Sequence, residues 1–148
     1  MSDLVDLTLT REFTAPVDRL YAAFVDPDLL SAWFGPVGFS VPRDIVDVDA
    51  RVGGHQRFVM VGDADPTQRS EVNATFLEVV ENTLLVGQET VVGAAPDGSD
   101  MTLRLRLSFV STESGSRLDL VQGPYPAEWI EPATGGWMSS FTKLDALL

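Results

Sequence analysis

Apolar and polar residues alternate along much of the chain, most regularly over residues 101–109, where odd positions are apolar and even positions are polar. A period of two is typical of a β-strand with one dry face and one wet face. Similar stretches occupy residues 7–13, 55–61 and 117–122, and Asn82-Thr83 joins two more strands as a hairpin. The pattern therefore predicts an antiparallel sheet of six or seven strands with one covered face.

Two short helices are predicted directly after the first strand. Apolar residues recur at helical spacing over residues 17–25, behind a proline that fits the first turn of a helix. Asp26-Pro27 ends this helix, because the residue before a proline disfavours the helical conformation. A second helix is predicted over Pro27–Trp33, with Asp26 or Asp28 as its cap.

The end of the chain carries the clearest pattern of a long helix, over residues 135–148. Its apolar face consists of Trp137, Phe141, Leu144 and Leu148. Because most other elements are strands, we expect this helix to cover the sheet, and burial predicts that Trp137→Ala costs about 3–5 kcal/mol. Pro132 and Gly135 predict that the helix starts late or is kinked.

A loop over residues 33–39 is predicted from its glycines and proline, yet it carries Trp33, Phe34 and Phe39. Large aromatic side chains are unusual in a solvated loop, and loops that carry them are often functional. Two interpretations are open. The three rings fold back onto the core, or they form a rim over a ligand cavity.

The net charge of −12 narrows the range of partners. Nucleic acids need Lys and Arg to replace their counterions, and anionic membrane surfaces attract basic segments, so neither is expected as a partner. With 148 residues, of which 45% are hydrophobic, residues 1–148 are expected to form one domain with its own core.

Cysteine is absent and His55 is the only histidine. These counts exclude a disulfide, a zinc–thiolate site, a cysteine nucleophile and a His-rich metal site, so neither a metal nor a cofactor is expected. No apolar run is long enough to span a bilayer, and the amino terminus lacks the basic and apolar regions of a signal peptide. A cytoplasmic location is therefore expected.

Short motifs follow one another along the chain: Arg11-x-Phe13-x-Ala15-Pro16, Trp33-Phe34-Gly35-Pro36, Val52-Gly53-Gly54-x-x-Arg57-Phe58, Phe76-Leu77-Glu78-Val79-Val80, and Gly136-Trp137 with Leu144-x-x-Leu147-Leu148. In this order they resemble the SRPBCC superfamily, and within it the single-domain proteins similar to the carboxy-terminal domain of the activator of heat-shock-protein-90 ATPase. The resemblance implies an α+β fold of the helix-grip (START-like) type. In that fold a curved antiparallel sheet wraps around a long carboxy-terminal helix, and two short helices follow the first strand.

The resemblance also implies a hydrophobic cavity between the sheet and the last helix. Six or seven strands spaced by about 4.8 Å form a sheet much wider than one helix, which is about 10–12 Å across. The remaining space is expected to be lined by the aromatic loop and by inward-facing apolar residues: Trp33, Phe34, Phe39, Phe58, Met60, Leu103, Leu105, Leu107, Leu118, Leu120, Trp137 and Phe141. A closed core without a cavity is the alternative, because protein interiors are close-packed.

Binding of a small hydrophobic or amphipathic ligand in this cavity is the function that these features favour. A cyclase- or hydrolase-type enzyme is an alternative, because one fold hosts several activities. An enzyme would need a buried acid or base, for which the candidates are Glu78, Glu89, His55, Arg11 and Tyr21. Each is expected to be structural, with the carboxylates on solvated faces and Arg11 paired with a carboxylate, so no catalytic residue is assigned.

Interaction with another protein is a third hypothesis. The resemblance implies a co-chaperone that stimulates a heat-shock-protein-90-type ATPase, and an acidic surface would dock on a basic patch of that partner. The resemblance covers one domain only, which places this hypothesis below ligand binding. A homodimer is also considered, through Val91 and Val121 on the outer face of the sheet.

Overall fold

An antiparallel sheet forms the body of the fold. The computed structural model describes residues 3–148, and Met1 and Ser2, at the start of the predicted domain, lie outside the described residues. Within that part of the chain eight strands form one sheet. The strands are β1 Leu4–Phe13, β2 Phe39–Ser40, β3 Asp47–Val48, β4 His55–Gly62, β5 Arg69–Val80, β6 Leu84–Val91, β7 Met101–Thr112 and β8 Gly115–Pro126.

The strand order is β1-β8-β7-β6-β5-β4-β2, with β3 pairing β4 beside this path. Consecutive strands from β4 to β8 are neighbours, and β1 closes the far edge against β8. The sheet has more strands than the predicted six or seven because it includes β2 and β3, which are only two residues long each. A 3₁₀ turn over Arg43–Ile45 precedes β3.

The two short helices form as predicted, α1 over Val17–Val25 and α2 over Pro27–Trp33. Asp26 caps α2, because its carboxylate accepts hydrogen bonds from the backbone N–H groups of Asp28 at 2.9 Å and Leu29 at 3.3 Å. The cap and the proline at the first helical position fix where α2 begins.

The carboxy-terminal helix α3 spans Ile130–Leu147, so the predicted late start was wrong. Pro132 lies in the first turn of α3, where a backbone N–H has no partner within the helix, and its missing N–H therefore costs little there. A 3₁₀ turn over Ala127–Trp129 leads into α3, while β8 extends to Pro126. Helix α3 is thus longer than the apolar stripe alone indicated.

Trp33 holds the helices together in the core. Its side chain is fully buried, its Nε1–H donates a hydrogen bond to the Ala23 carbonyl at 2.8 Å, and its ring packs on Phe24 and Phe141. Trp33 therefore joins α1, α2 and α3 rather than lying in a loop.

An ion pair fixes the end of α3 against the edge of the sheet. The Arg11 guanidinium on β1 donates two hydrogen bonds to the Asp145 carboxylate, at 2.8 and 2.5 Å, which confirms that Arg11 pairs with a carboxylate. The guanidinium also lies over the rings of Phe13 and Phe141. The helix-grip fold predicted from the sequence is confirmed. None of the helices in residues 3–148 is long and apolar enough to cross a bilayer.

Candidate ligand cavity

A cavity of about 390 Å³ lies between α3 and the inner face of strands β4 to β7. Helix α3 packs closely against β1 and α2 near its carboxyl end, so this half of the interior is closed. Towards its amino end α3 leaves a space above β5, β6 and β7. The cavity therefore occupies one half of the molecule.

Small residues on α3 keep the helical wall of the cavity open. Ala133, Gly136, Trp137 and Ser140 line it at the spacing of one helical face. A Cβ atom built on Gly136 would meet no other atom within 4 Å. Among these four residues only Trp137 has a large side chain, and it is partly buried.

Small residues also form the opposite wall. Ala74 on β5 and Gly87 on β6 line the cavity, and a Cβ atom on Gly87 would lie 3.7 Å from the Ala74 Cβ. Larger side chains at these two positions would occupy part of the cavity. The cavity therefore results from small residues on both of its walls.

The deep end of the cavity is apolar. Phe24, Phe76, Leu85 and Leu107 line it, with exposed fractions of 1–4%. Leu85 lies opposite Leu107 in the register of β6 and β7. A ligand that reaches this end would lose contact with water over its apolar part.

The sheet separates at the other end of the cavity. Strands β5 and β6 pair only from Thr75 and Gln88 onward, while residues 69–74 pair with β4 and residues 89–91 pair with β7. The side chain of Glu89 bridges the separation, because its Oε2 accepts a hydrogen bond from the Asn73 backbone N–H at 3.2 Å. A carboxylate thus takes the place of a ladder hydrogen bond at the cavity wall.

Burial changes the titration of two groups at this polar end. Loss of water raises the pKa of the Glu89 carboxyl, although the hydrogen bond from Asn73 opposes the shift. Burial, together with the negative charge of Glu89, raises the pKa of Tyr125 to about 12. The tyrosine therefore keeps its proton at neutral pH and can act as a hydrogen-bond donor.

Two glutamines complete the polar lining. The Trp137 Nε1–H donates to Gln122 Oε1 at 2.8 Å, which leaves the amide N–H₂ of Gln122 to face other partners. Gln56 Nε2 donates to the Phe24 carbonyl at 2.9 Å. The cavity is therefore apolar at its deep end and offers polar groups at its sides and outer end.

The structure divides the residues that the sequence placed at the cavity. Those on its wall are Phe34, Met60, Leu103, Leu105, Leu107 and Trp137. Those away from the wall are Trp33, Phe39, Phe58, Leu118, Leu120 and Phe141. Of the three loop aromatics only Phe34 lies at the cavity, packed on Trp137 with ring centroids 5.6 Å apart.

This division of the predicted lining residues has a simple physical reason. Leu118 and Leu120 on β8 have the correct parity for the inner face, but they lie in the closed half, together with Phe141 on α3. Parity identifies the inner face of a strand, whereas the position of a helix over the sheet decides which part of that face is covered.

The five side chains considered for catalysis have different surroundings in the structure. Glu78 is 3.9 Å from Arg106 on the exposed face, and His55 Nε2 is 2.9 Å from Asp47 Oδ2 on β3. Tyr21 packs edge-on against Phe109 in the core. Of the five, only Glu89 lines the cavity, so the expectation that it lies on a solvated face was wrong.

Several lining residues were missed by the sequence analysis: Gln56, Ala74, Gly87, Gln122, Tyr125, Trp129 and Gly136. A signal for some of them exists in β6, where Leu85, Gly87, Glu89 and Val91 share one face. Val91 was expected on the outer face, as part of a dimer surface, and lies on the cavity face instead. Among the described residues, no three His, Cys, Asp or Glu side chains cluster as metal ligands.

A sheet that grips a carboxy-terminal helix and leaves a cavity between them defines the helix-grip, or START-like, class of proteins within the SRPBCC superfamily. The profile of the family described as "Activator of Hsp90 ATPase homolog 1-like protein" matches residues 14–148, and the chain belongs to this family.

Solved structures of similar proteins agree with this assignment. A protein from Chromobacterium violaceum is 26% identical with a TM-score of 0.81, and the match covers 97% of each chain. The AHSA1 protein from Silicibacter pomeroyi is 28% identical with a TM-score of 0.78, over 96% of each chain. An AHSA1-like protein from Aeromonas hydrophila shares the fold at 17% identity and a TM-score of 0.75, over 97% of this chain and 94% of that chain. A search among curated proteins found no match.

Proposed function

We propose that this protein binds a small hydrophobic or amphipathic molecule in the cavity between α3 and the sheet. The observation that carries the proposal is that small residues line the cavity on both sides, Gly136 on α3 and Ala74 and Gly87 on the sheet. Close packing is the ordinary state of a protein interior, so a space kept open from both sides favours a ligand. Its volume of about 390 Å³ is in the range typical of small-molecule sites.

The arrangement of the lining supports binding over catalysis. The cavity combines an apolar end with a few polar groups, which is the usual composition of a site that holds and orients a small molecule. Of the two carboxylates on the lining, Glu71 is exposed and Glu89 is half-buried. Tyr125, the neighbour of Glu89, holds its proton too tightly to act as a general acid near neutral pH. These groups are better suited to hydrogen bonding than to proton transfer.

Two adjacent glycines allow a matched test. Gly136 faces the cavity and Gly135 faces solvent, and a Cβ atom on either would meet nothing within 4 Å. Gly136→Leu therefore fills the cavity, whereas Gly135→Leu adds the same side chain to the same helix outside it. The probe is N-phenyl-1-naphthylamine, an uncharged apolar fluorophore whose emission rises when it leaves water.

We expect saturable binding of N-phenyl-1-naphthylamine to the wild type and to Gly135→Leu, and a loss of at least about tenfold in affinity for Gly136→Leu. Equal affinity of the two leucine variants would place the probe outside the cavity and contradict the proposal. Failure of the wild type to bind either this probe or 1-decanol would contradict it as well.

The family description favours a second function, activation of a heat-shock-protein-90-type ATPase. Such activation would act through the surface of the protein and would not need an empty cavity. Wild type and Gly136→Leu would then stimulate ATP hydrolysis by the chaperone equally. No stimulation by either protein would remove this alternative and leave ligand binding unaffected.

A further inference from the structure

We propose that the cavity selects amphipathic molecules whose head group is a positively charged amine, with the Glu89 carboxylate as the counter-charge. This inference rests on the proposed function and names the chemical class of its ligand. It excludes fatty acids and other molecules with an anionic head as the preferred occupants.

Charge at the cavity wall has one sign. Among the described residues that line the cavity, Glu71 and Glu89 are acidic and none is Lys, Arg or His. An anionic head group would therefore meet like charge without any cation to compensate it, which is unfavourable in a partly dry site. A cationic head group would meet an opposite charge at the same place.

Glu89 is the carboxylate best placed for this role. It is half-buried on β6, and one of its oxygens accepts from the Asn73 backbone, which fixes the side chain at the separation of β5 and β6. Within the described part of the chain Glu89 has no basic partner. Burial raises the pKa of this carboxyl because its charge loses contact with water, and a bound ammonium group would stabilise that charge.

The ring of Tyr125 lies near this carboxylate, and the ring of Trp129 lies near Tyr125. Tyr125 lies close enough for the charge of Glu89 to affect its titration, and its ring centroid is 6.5 Å from that of Trp129. Both rings line the cavity. A carboxylate with neighbouring aromatic faces is the combination that attracts organic ammonium groups, because the faces of the rings carry negative charge density.

The polarity of the cavity also sets the direction of the ligand. Along β6, Leu85 lines the deep end and Glu89 lines the outer end, about 13 Å further at the usual rise per strand residue. Ser70 and Glu71 lie at the outer end as well, where β5 leaves β6. An alkyl tail therefore points towards Phe76 and Leu85, and the amine stays at the mouth beside Glu89.

Competition between probes with equal tails tests the inference. Decylammonium chloride, 1-decanol and sodium decanoate are each used to displace N-phenyl-1-naphthylamine from the wild type at about 0.15 M salt, where weak surface attraction to an acidic protein is screened. We expect decylammonium to displace the fluorophore at a concentration roughly tenfold or more below that of decanoate, with 1-decanol between them.

Variants assign the preference to one residue. Glu89→Gln keeps an oxygen for the Asn73 N–H but loses the charge. The affinity for decylammonium should therefore fall by roughly tenfold, while the affinity for 1-decanol should change little. Glu78→Gln, on the exposed face and away from the cavity, removes one negative charge as well and should keep the preference for the amine. Unchanged binding of 1-decanol shows that the cavity of Glu89→Gln is intact.

The possible failures can be told apart. The amine inference is wrong, while ligand binding stands, if decanoate displaces the fluorophore at the same concentration as decylammonium does. The same holds if Glu89→Gln keeps the full preference for decylammonium. A preference that is lost in Glu78→Gln as well as in Glu89→Gln would come from net charge alone and also overturns the assignment. If Gly136→Leu binds the probes as the wild type does, the binding lies outside the cavity and both proposals fall.

Discussion

Glu89 is held where its negative charge is unfavourable, and this has a consequence for stability. The carboxyl has a raised pKa in the folded protein because burial removes water from it, and an ordinary pKa near 4.5 in the unfolded chain. Between these two values the folded state binds more protons than the unfolded state. This group's contribution to the free energy of unfolding therefore decreases as the pH rises through that window, and is greatest below it.

Glu89→Gln should remove that dependence. We expect the stability of the variant relative to the wild type to increase as the pH rises above about 4.5 and to level off once Glu89 is fully ionised in the folded protein. Glu71 and Tyr125 are the other titratable groups at this end of the cavity. Urea unfolding between pH 4 and pH 8 measures the difference, and Glu78→Gln on the exposed face controls for loss of one negative charge. A difference that is constant, or that decreases with pH, would contradict the account.

Two glycines within helix α3 lower the stability of the helix. Glycine inside a helix is less favourable than alanine by about 0.5–1 kcal/mol, and α3 contains both Gly135 and Gly136. Close packing explains neither glycine, since a Cβ atom at either position would meet nothing within 4 Å. Gly136 instead lines the cavity, as Ala74 and Gly87 do on the sheet.

Replacement of either glycine should therefore stabilise the protein. Gly136→Ala and Gly135→Ala are each expected to raise the free energy of unfolding by about 0.5–1 kcal/mol, as measured by urea unfolding. Gly136→Leu should be at least as stable as the wild type although it loses the ligand. A destabilised Gly136→Ala would show that the position is crowded and that the helical wall of the cavity is not open.

Elements were predictable from the sequence where local physics fixes them. The alternation of β7 and the cap of α2 need no distant contact; the first was predicted, and Asp26 was one of the two caps predicted. The start of α3 was missed because Pro132 occupies the one turn where a proline is tolerated. Glu89 was missed because a carboxylate was assumed to face water, although its parity on β6 matches that of Leu85.

The boundary between core and cavity could not be predicted, because it depends on where α3 crosses the sheet. Trp33 and Phe141 were assigned to the cavity by their size and position, yet they fill the closed half completely. Trp137, on the same face of α3 as Phe141, lies on the other side of that boundary. The molecule therefore has a closed half that supports the fold and an open half that is available for a ligand.

Two tryptophans test this division of the whole molecule. Trp33 is fully buried among α1, α2 and α3, so Trp33→Ala should cost about 3–5 kcal/mol, through a new cavity and an unpaired Ala23 carbonyl. Trp137 already borders empty space, so Trp137→Ala should only enlarge the existing cavity and cost less than about 2 kcal/mol, below the value expected from the sequence. Urea unfolding of both variants at the same pH gives the comparison. Equal losses would mean that Trp137 supports the fold as Trp33 does, and that the interior is one continuous core rather than a closed half beside an open one.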